Sequence, residues 1–103
     1  MKFMIVTLFD VAKGAELAQI SDKLSANPPP GTETLASYFC QGIPFPGIPL
    51  NMGVTITIGE AESNEAIAAA TWPLRLAGAM VWHVPLLEMP VGGIVEWERK
   101  FRG

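Results

Sequence analysis

An α+β domain with its elements in the order β-α-β-β-α-β is predicted by three features of this 103-residue chain. Its apolar residues switch between the two-residue period of a strand and the three-to-four-residue period of a helix. Helix-capping residues stand at the switches, and clusters of proline or glycine close the helical stretches. Half of the residues are hydrophobic and 17% are charged, a balance that supports a buried core. A single domain is expected at this length.

The first strand is "KFMIVTLF", Lys2 to Phe9, crowded with β-branched and aromatic side chains. Asp10 behind it has the short acceptor that caps a helix, and Ala12 to Ala26 are good or fair helix formers. Leu17, Ile20 and Leu24 fall on one stripe of that helix. It must end at "NPPPG", Asn27 to Gly31, because proline has no amide to donate and its ring clashes with the preceding turn. "ETLASYFC", Glu33 to Cys40, forms the second strand. "NMGVTITIGE", Asn51 to Glu60, forms the third, with Val54, Ile56 and Ile58 alternating with Thr55 and Thr57. Between them, Pro44, Pro46 and Pro49 remove three backbone donors, so 41–50 is an extended or edge-lying connection. Its Ile43, Phe45, Ile48 and Leu50 need something to pack on.

Ser63 caps a second helix through "NEAIAAAT", which Pro73 is expected to kink or restart as "WPLRLAGA". The last strand is "MVWHVPLLEM". Beyond Pro90 and the Gly92-Gly93 break, "IVEWERKF" sets Ile94, Trp97 and Phe101 on one helical face and spaces Glu96–Lys100 and Glu98–Arg102 for i, i+4 ion pairs. So short a helix is marginal in water and must dock. The expected division is a domain over 1–89 and a helical extension over 90–103 that contacts a partner subunit.

This order is that of the ferredoxin-like split βαβ fold, a four-stranded antiparallel sheet with two helices on one face. Strand alternation then sorts side chains into two sets. With Val54, Ile56 and Ile58 assigned to the helices, Met4, Val6, Leu8, Tyr38, Trp82, Val84 and Leu86 join them. The open face receives Phe3, Ile5, Thr7, Leu35, Ser37, Phe39, Thr55, Thr57, Val81, His83 and Leu87. So many apolar groups on an open face predict a cover, and a second copy is the expected one.

The opening "MKFMIVTLF", the "NPPPG" after the first helix, the tryptophan in "ATWPL" and the proline inside "WHVPLLEM" resemble a small ferredoxin-like family of dimeric α/β-barrel type, catalogued as a domain of unknown function. The resemblance spans roughly residues 1–89. The proline content of "QGIPFPGIPL" and the stretch from Pro90 to Gly103 depart from it. It implies the fold and a homodimer and carries no activity. Dimeric α/β-barrel proteins include cofactor-independent oxygenases and isomerases, so catalysis without a cofactor is the alternative that the resemblance raises.

His83, the only histidine, is the candidate catalytic base or acid and the first candidate ligand contact, because imidazole titrates near neutrality. A packed, hydrogen-bonded histidine is the more ordinary outcome in a strand. Thr7, Ser37, Thr55 and Thr57 are the candidate ligand-binding hydroxyls beside it, in an apolar cavity expected between the sheets of two copies. The same hydroxyls would serve a dimer seam, and a purely structural or assembly domain is the third alternative.

Other classes of function lack residues. One histidine, one cysteine and scattered carboxylates offer no metal-ligand spacing, and no nucleotide-binding loop is present, so neither metal nor cofactor is expected. Cys40 would need His83 as its base to act as a nucleophile. Glu60 and Glu62 have the arrangement that a helix dipole alone favours. Trp72, Trp82 and Trp97 are apolar fillers before they are stacking faces. A formal charge of −3 with no basic stripe argues against nucleic acid. The N-terminal apolar run is too short for a signal peptide or a membrane span, which leads to the cytoplasm as the expected location.

Overall fold

The computed structural model describes residues 1–103. It contains β1 (Lys2–Asp10), a one-turn 3-10 helix η1 (Val11–Lys13), α1 (Gly14–Ala26), β2 (Thr32–Phe39), β3 (Met52–Ala61), α2 (Asn64–Leu76), β4 (Met80–Pro85) and α3 (Ile94–Arg102). The strands form one antiparallel sheet in the order β2-β3-β1-β4, with α1 and α2 on one face and α3 as an addition. The α+β class and the ferredoxin-like pattern are therefore as the sequence predicts.

Local chemistry explains the boundaries. The carboxylate of Asp10 accepts from the Ala12 amide at 2.9 Å, which opens η1 and leads into α1. The Ser63 hydroxyl accepts from the Ala66 amide at 3.2 Å and caps α2. Pro73 does not break α2. It removes one donor near the end of the helix, which runs on through Leu76 before Gly78, at φ 96°, turns the chain. Thr71 is buried in α2, yet its hydroxyl is satisfied by the Ile67 and Ala68 carbonyls at 3.1 and 3.3 Å. β4 is shorter than "MVWHVPLLEM" because Pro85 has no amide for the ladder; Leu86 adds one last bond to the Lys2 carbonyl.

Register fixes which residues share a face. Ile5 stands opposite Thr57 and His83, Thr7 opposite Thr55 and Val81, and Phe3 opposite Gly59 and Pro85. Phe3, Ile5, Ala61 and Val81 pack with Leu17 of α1 and Ile67 of α2, so this set looks toward the helices. Met4, Val6, Leu8, Val54 and Ile56 form the opposite face, joined by Cys40 and by Ile48 of the proline-rich connection. The alternation is as predicted and its phase is inverted: the threonines lie under the helices, and the aliphatic rows face away. A one-residue change of phase moves a whole strand's side chains across the sheet, and the assumption that threonine marks the open face chose the wrong phase.

A bulge between Thr34 and Ala36 restores this parity in β2, so Ser37 pairs with Thr57 and Tyr38 with Ile56. The face away from the helices carries Met80, Trp82, Val84 and Tyr38, which are 53%, 47%, 40% and 61% exposed. Only its Leu8–Val54 end is covered, by Ile48; Ile43, Phe45 and Leu50 of the same connection remain exposed. No helix is long and apolar enough to cross a membrane.

α3 stands apart. Trp97 and Phe101 stack on each other with centroids 4.9 Å apart, but Ile94, Val95 and Phe101 stay exposed and no residue of α3 is buried. The Glu98–Arg102 pair forms at 3.0 Å as spaced, whereas Glu96 takes Arg99 at 2.7 Å instead of Lys100. The radius of gyration is 15.8 Å, against about 13 Å for a compact chain of this length.

Candidate functional site: a hydroxyl-floored cavity beneath α1

α2 lies over the β1–β4 half of the helix-side face, filling it with Ile67 and Leu74. α1 leans on α2 and stands off from the β2–β3 half. The space left beneath it is a cavity of about 550 Å³, inside the range of roughly 300–1,000 Å³ typical of small-molecule sites.

Its floor is built from the register. Thr55 and Thr57 of β3 lie between Thr7 of β1 and Ser37 of β2, and all four line the cavity. Two phenyl rings bound this band. Phe9 lies over Gly53 and Phe3 over Gly59, so closely that a Cβ on either glycine would fall 2.6 and 2.9 Å from ring carbon. Glycine is required at both positions by that approach. The roof is the Leu17, Ser21, Leu24 and Ser25 stripe of α1, and Pro28 and Pro29 close one end.

The hydroxyls differ in their state. Ser37 and Thr57 share a hydrogen bond at 3.3 Å, and the Thr32 hydroxyl donates to the Pro29 carbonyl at 2.7 Å. Thr7 is 7% exposed, and its hydroxyl has no partner within the chain. That oxygen is not sealed, since no enclosed side-chain oxygen lacks a partner. It opens into the cavity.

Of the five site residues expected from the sequence, the structure gathers Thr7, Ser37, Thr55 and Thr57 and leaves His83 apart. His83 shares their cross-strand row, with Ile5 between it and Thr57. Two strand spacings, about 9.6 Å, separate the two backbones. The imidazole is exposed at the β4 edge and is absent from the cavity wall. This cavity lies within one chain, between sheet and helices, whereas the one expected from the sequence lay between the sheets of two copies. The signal for it was available in β3, whose Gly-x-Thr-x-Thr-x-Gly inner row, Gly53 to Gly59, is unsuited to packing a helix tightly.

The remaining candidates fall on separate surfaces. Cys40 packs on the face away from the helices, with the sheet between it and His83, so they do not form a nucleophile and base. Glu60 is held by the N-terminal amine at 3.5 Å, and Glu62 lies against Gly31. Trp72 is exposed on α2, and Trp82 and Trp97 lie outside the cavity. His, Cys, Asp and Glu gather nowhere in a group of three that could hold a metal ion.

No family model matches the chain, and no curated protein matches it. Solved structures do. A DUF3240 family protein from Shewanella baltica aligns over 89% of this chain and 97% of its own, at 11% identity and a TM-score of 0.49. NE2512 from Nitrosomonas europaea, a protein of unknown function, aligns over 88% and 96% at 17% identity and 0.41. HapK from Hahella chejuensis aligns over 90% and 99% at 16% identity and 0.43. At these values the likeness fixes neither family nor activity. Two of these three neighbours are themselves of unassigned role.

Proposed function

We propose that this protein is a homodimer whose subunits each bind a small organic molecule in the cavity beneath α1. The observation that carries the binding reading is the row of four hydroxyls, Thr7, Thr55, Thr57 and Ser37, that floors a cavity of about 550 Å³. A packed ferredoxin-like core would place aliphatic side chains there, whereas hydroxyls facing a cavity can both donate to and accept from a bound molecule. The floor lacks a base: His83 lies two strands away, so the geometry favours binding over catalysis.

The dimer reading is supported by the opposite face. Four strands spaced about 4.8 Å apart and about 25 Å long present a flat area near 500 Å². With side-chain relief and α3 added, this is of the same order as the ~800 Å² per partner of a standard interface. Its composition is that of an interface core, aliphatic rows with Trp82 and Tyr38. α3 continues from the same β4 edge with an unused Ile94–Trp97–Phe101 stripe, which packs on the second copy. The single unpaired Cys40 fits a reducing compartment such as the cytoplasm.

The test is methyl NMR of the protein titrated with a fragment library. Fragments that bind should shift the Thr7, Thr55, Thr57, Leu17 and Leu24 methyls as a group. A library that leaves these methyls unmoved, or moves only the Val54–Ile56 face, would remove the reading.

A further inference from the structure

The geometry points to an uncharged, hydrogen-bonding ligand for this cavity, an alcohol, phenol or amide with a flat apolar body, and to discrimination against anions; this rests on the binding reading above.

The wall carries no Lys, Arg or His, and its single charged residue is Glu33. Backbone amides of the two central strands cannot substitute for the missing cation. β1 and β3 are each paired on both sides, so the donors of the floor are spent in the ladder. The start of α1, an ordinary place for an anion, is continuous with η1: the Gly14 amide is bonded to the Val11 carbonyl, and Glu16 occupies the first turn. A carboxylate or phosphate entering would exchange water for a few hydroxyls and meet no opposite charge, which is unfavourable. An uncharged hydroxyl or amide finds partners that both donate and accept, the open oxygen of Thr7 first among them. At the two ends, the rings of Phe3 and Phe9 accept an apolar body at their faces and edges.

Two probes of one shape separate charge from fit: naphthalenemethanol and naphthoate, titrated at neutral pH while the Thr7 and Thr57 methyls are followed. The alcohol should bind at least about tenfold more tightly than the carboxylate. Ser37→Lys, at the exposed β2 end of the cavity floor, should narrow or reverse that ratio by bringing an ammonium to the mouth. Equal or tighter binding of naphthoate to the unaltered protein, at these same methyls, would overturn the inference and leave the cavity as a ligand site. If neither probe shifts Thr7 or Thr57, the binding reading fails and takes the inference with it.

Discussion

Replacing Trp82 with alanine tests the assignment of the outer sheet face to a second copy. Trp82 stands opposite Val6 in the centre of β4, away from the helices, and is 47% exposed. A whole tryptophan presents about 200–250 Å², so roughly 100 Å² of it is open to cover. At about 25 cal/mol per Å² that surface is worth near 2.5 kcal/mol when buried. An isologous interface buries it twice, so the dissociation free energy falls by up to about 5 kcal/mol. Partial relaxation and the flexibility of the rim reduce this, and a rise of at least 100-fold in the dimer dissociation constant is expected, about 2.7 kcal/mol. Sedimentation velocity over a dilution series reads the constant, and circular dichroism of the diluted variant confirms that the protomer keeps its strands. An unchanged constant, or an unaltered protein that stays monomeric at every concentration, would refute the assignment.

Deleting 90–103 should leave the helix and strand content of 1–89 intact, since no residue of α3 is buried against that domain, while weakening the dimer; an unchanged dissociation constant and melting temperature would show that the extension docks nowhere. His83→Ala should change stability by less than about 0.5 kcal/mol and leave fragment binding at the Thr7 and Thr57 methyls unaltered, because the imidazole is exposed and Ile5 intervenes; loss of that binding would return His83 to the site. Ile67→Ala, at 1% exposure between α2 and the sheet, should cost about 2–5 kcal/mol in urea unfolding; a cost under about 1 kcal/mol would mean that α2 is not the keystone of the core. Gly59→Ala should displace the Phe3 ring and lower the melting temperature, since its Cβ would meet that ring at 2.9 Å and the Glu33 carbonyl at 2.7 Å; a variant as stable as the parent would show that the approach is not required.

The elements of this fold were legible because each is marked by local chemistry. Asp10 and Ser63 open helices, "NPPPG" ends one, and alternation identifies β3. The phase of that alternation was not legible. Solvent and a polar cavity select the same residues, so Thr55 and Thr57 read alike whether they meet water outside the sheet or space beneath α1. The four hydroxyls were found together because register keeps a row together on either face. His83 was grouped with them for the same reason: row membership was visible, but the covering of β1 and β4 by α2, which cuts the row at Ile5 and leaves His83 off this cavity's wall, depends on helix docking over long sequence distances. Pro73 lies inside α2 and does not restart it, since one more turn packs Leu74 on the core.

The bulge at Leu35 brings β2 into step with its neighbours, so that from Ser37 onward the odd-numbered residues of every strand look toward the cavity and the even-numbered ones look away. On the reading proposed above, ligand and partner are thereby written into alternate letters of the same four segments. Substitutions at Thr55, Thr57 or Ser37 should then retune the one, and substitutions at Ile56, Tyr38 or Trp82 the other, with the backbone as an insulating layer between them. A sheet arranged in this way can change what it holds without changing whom it joins, and two mutational series, one on each parity, should combine additively.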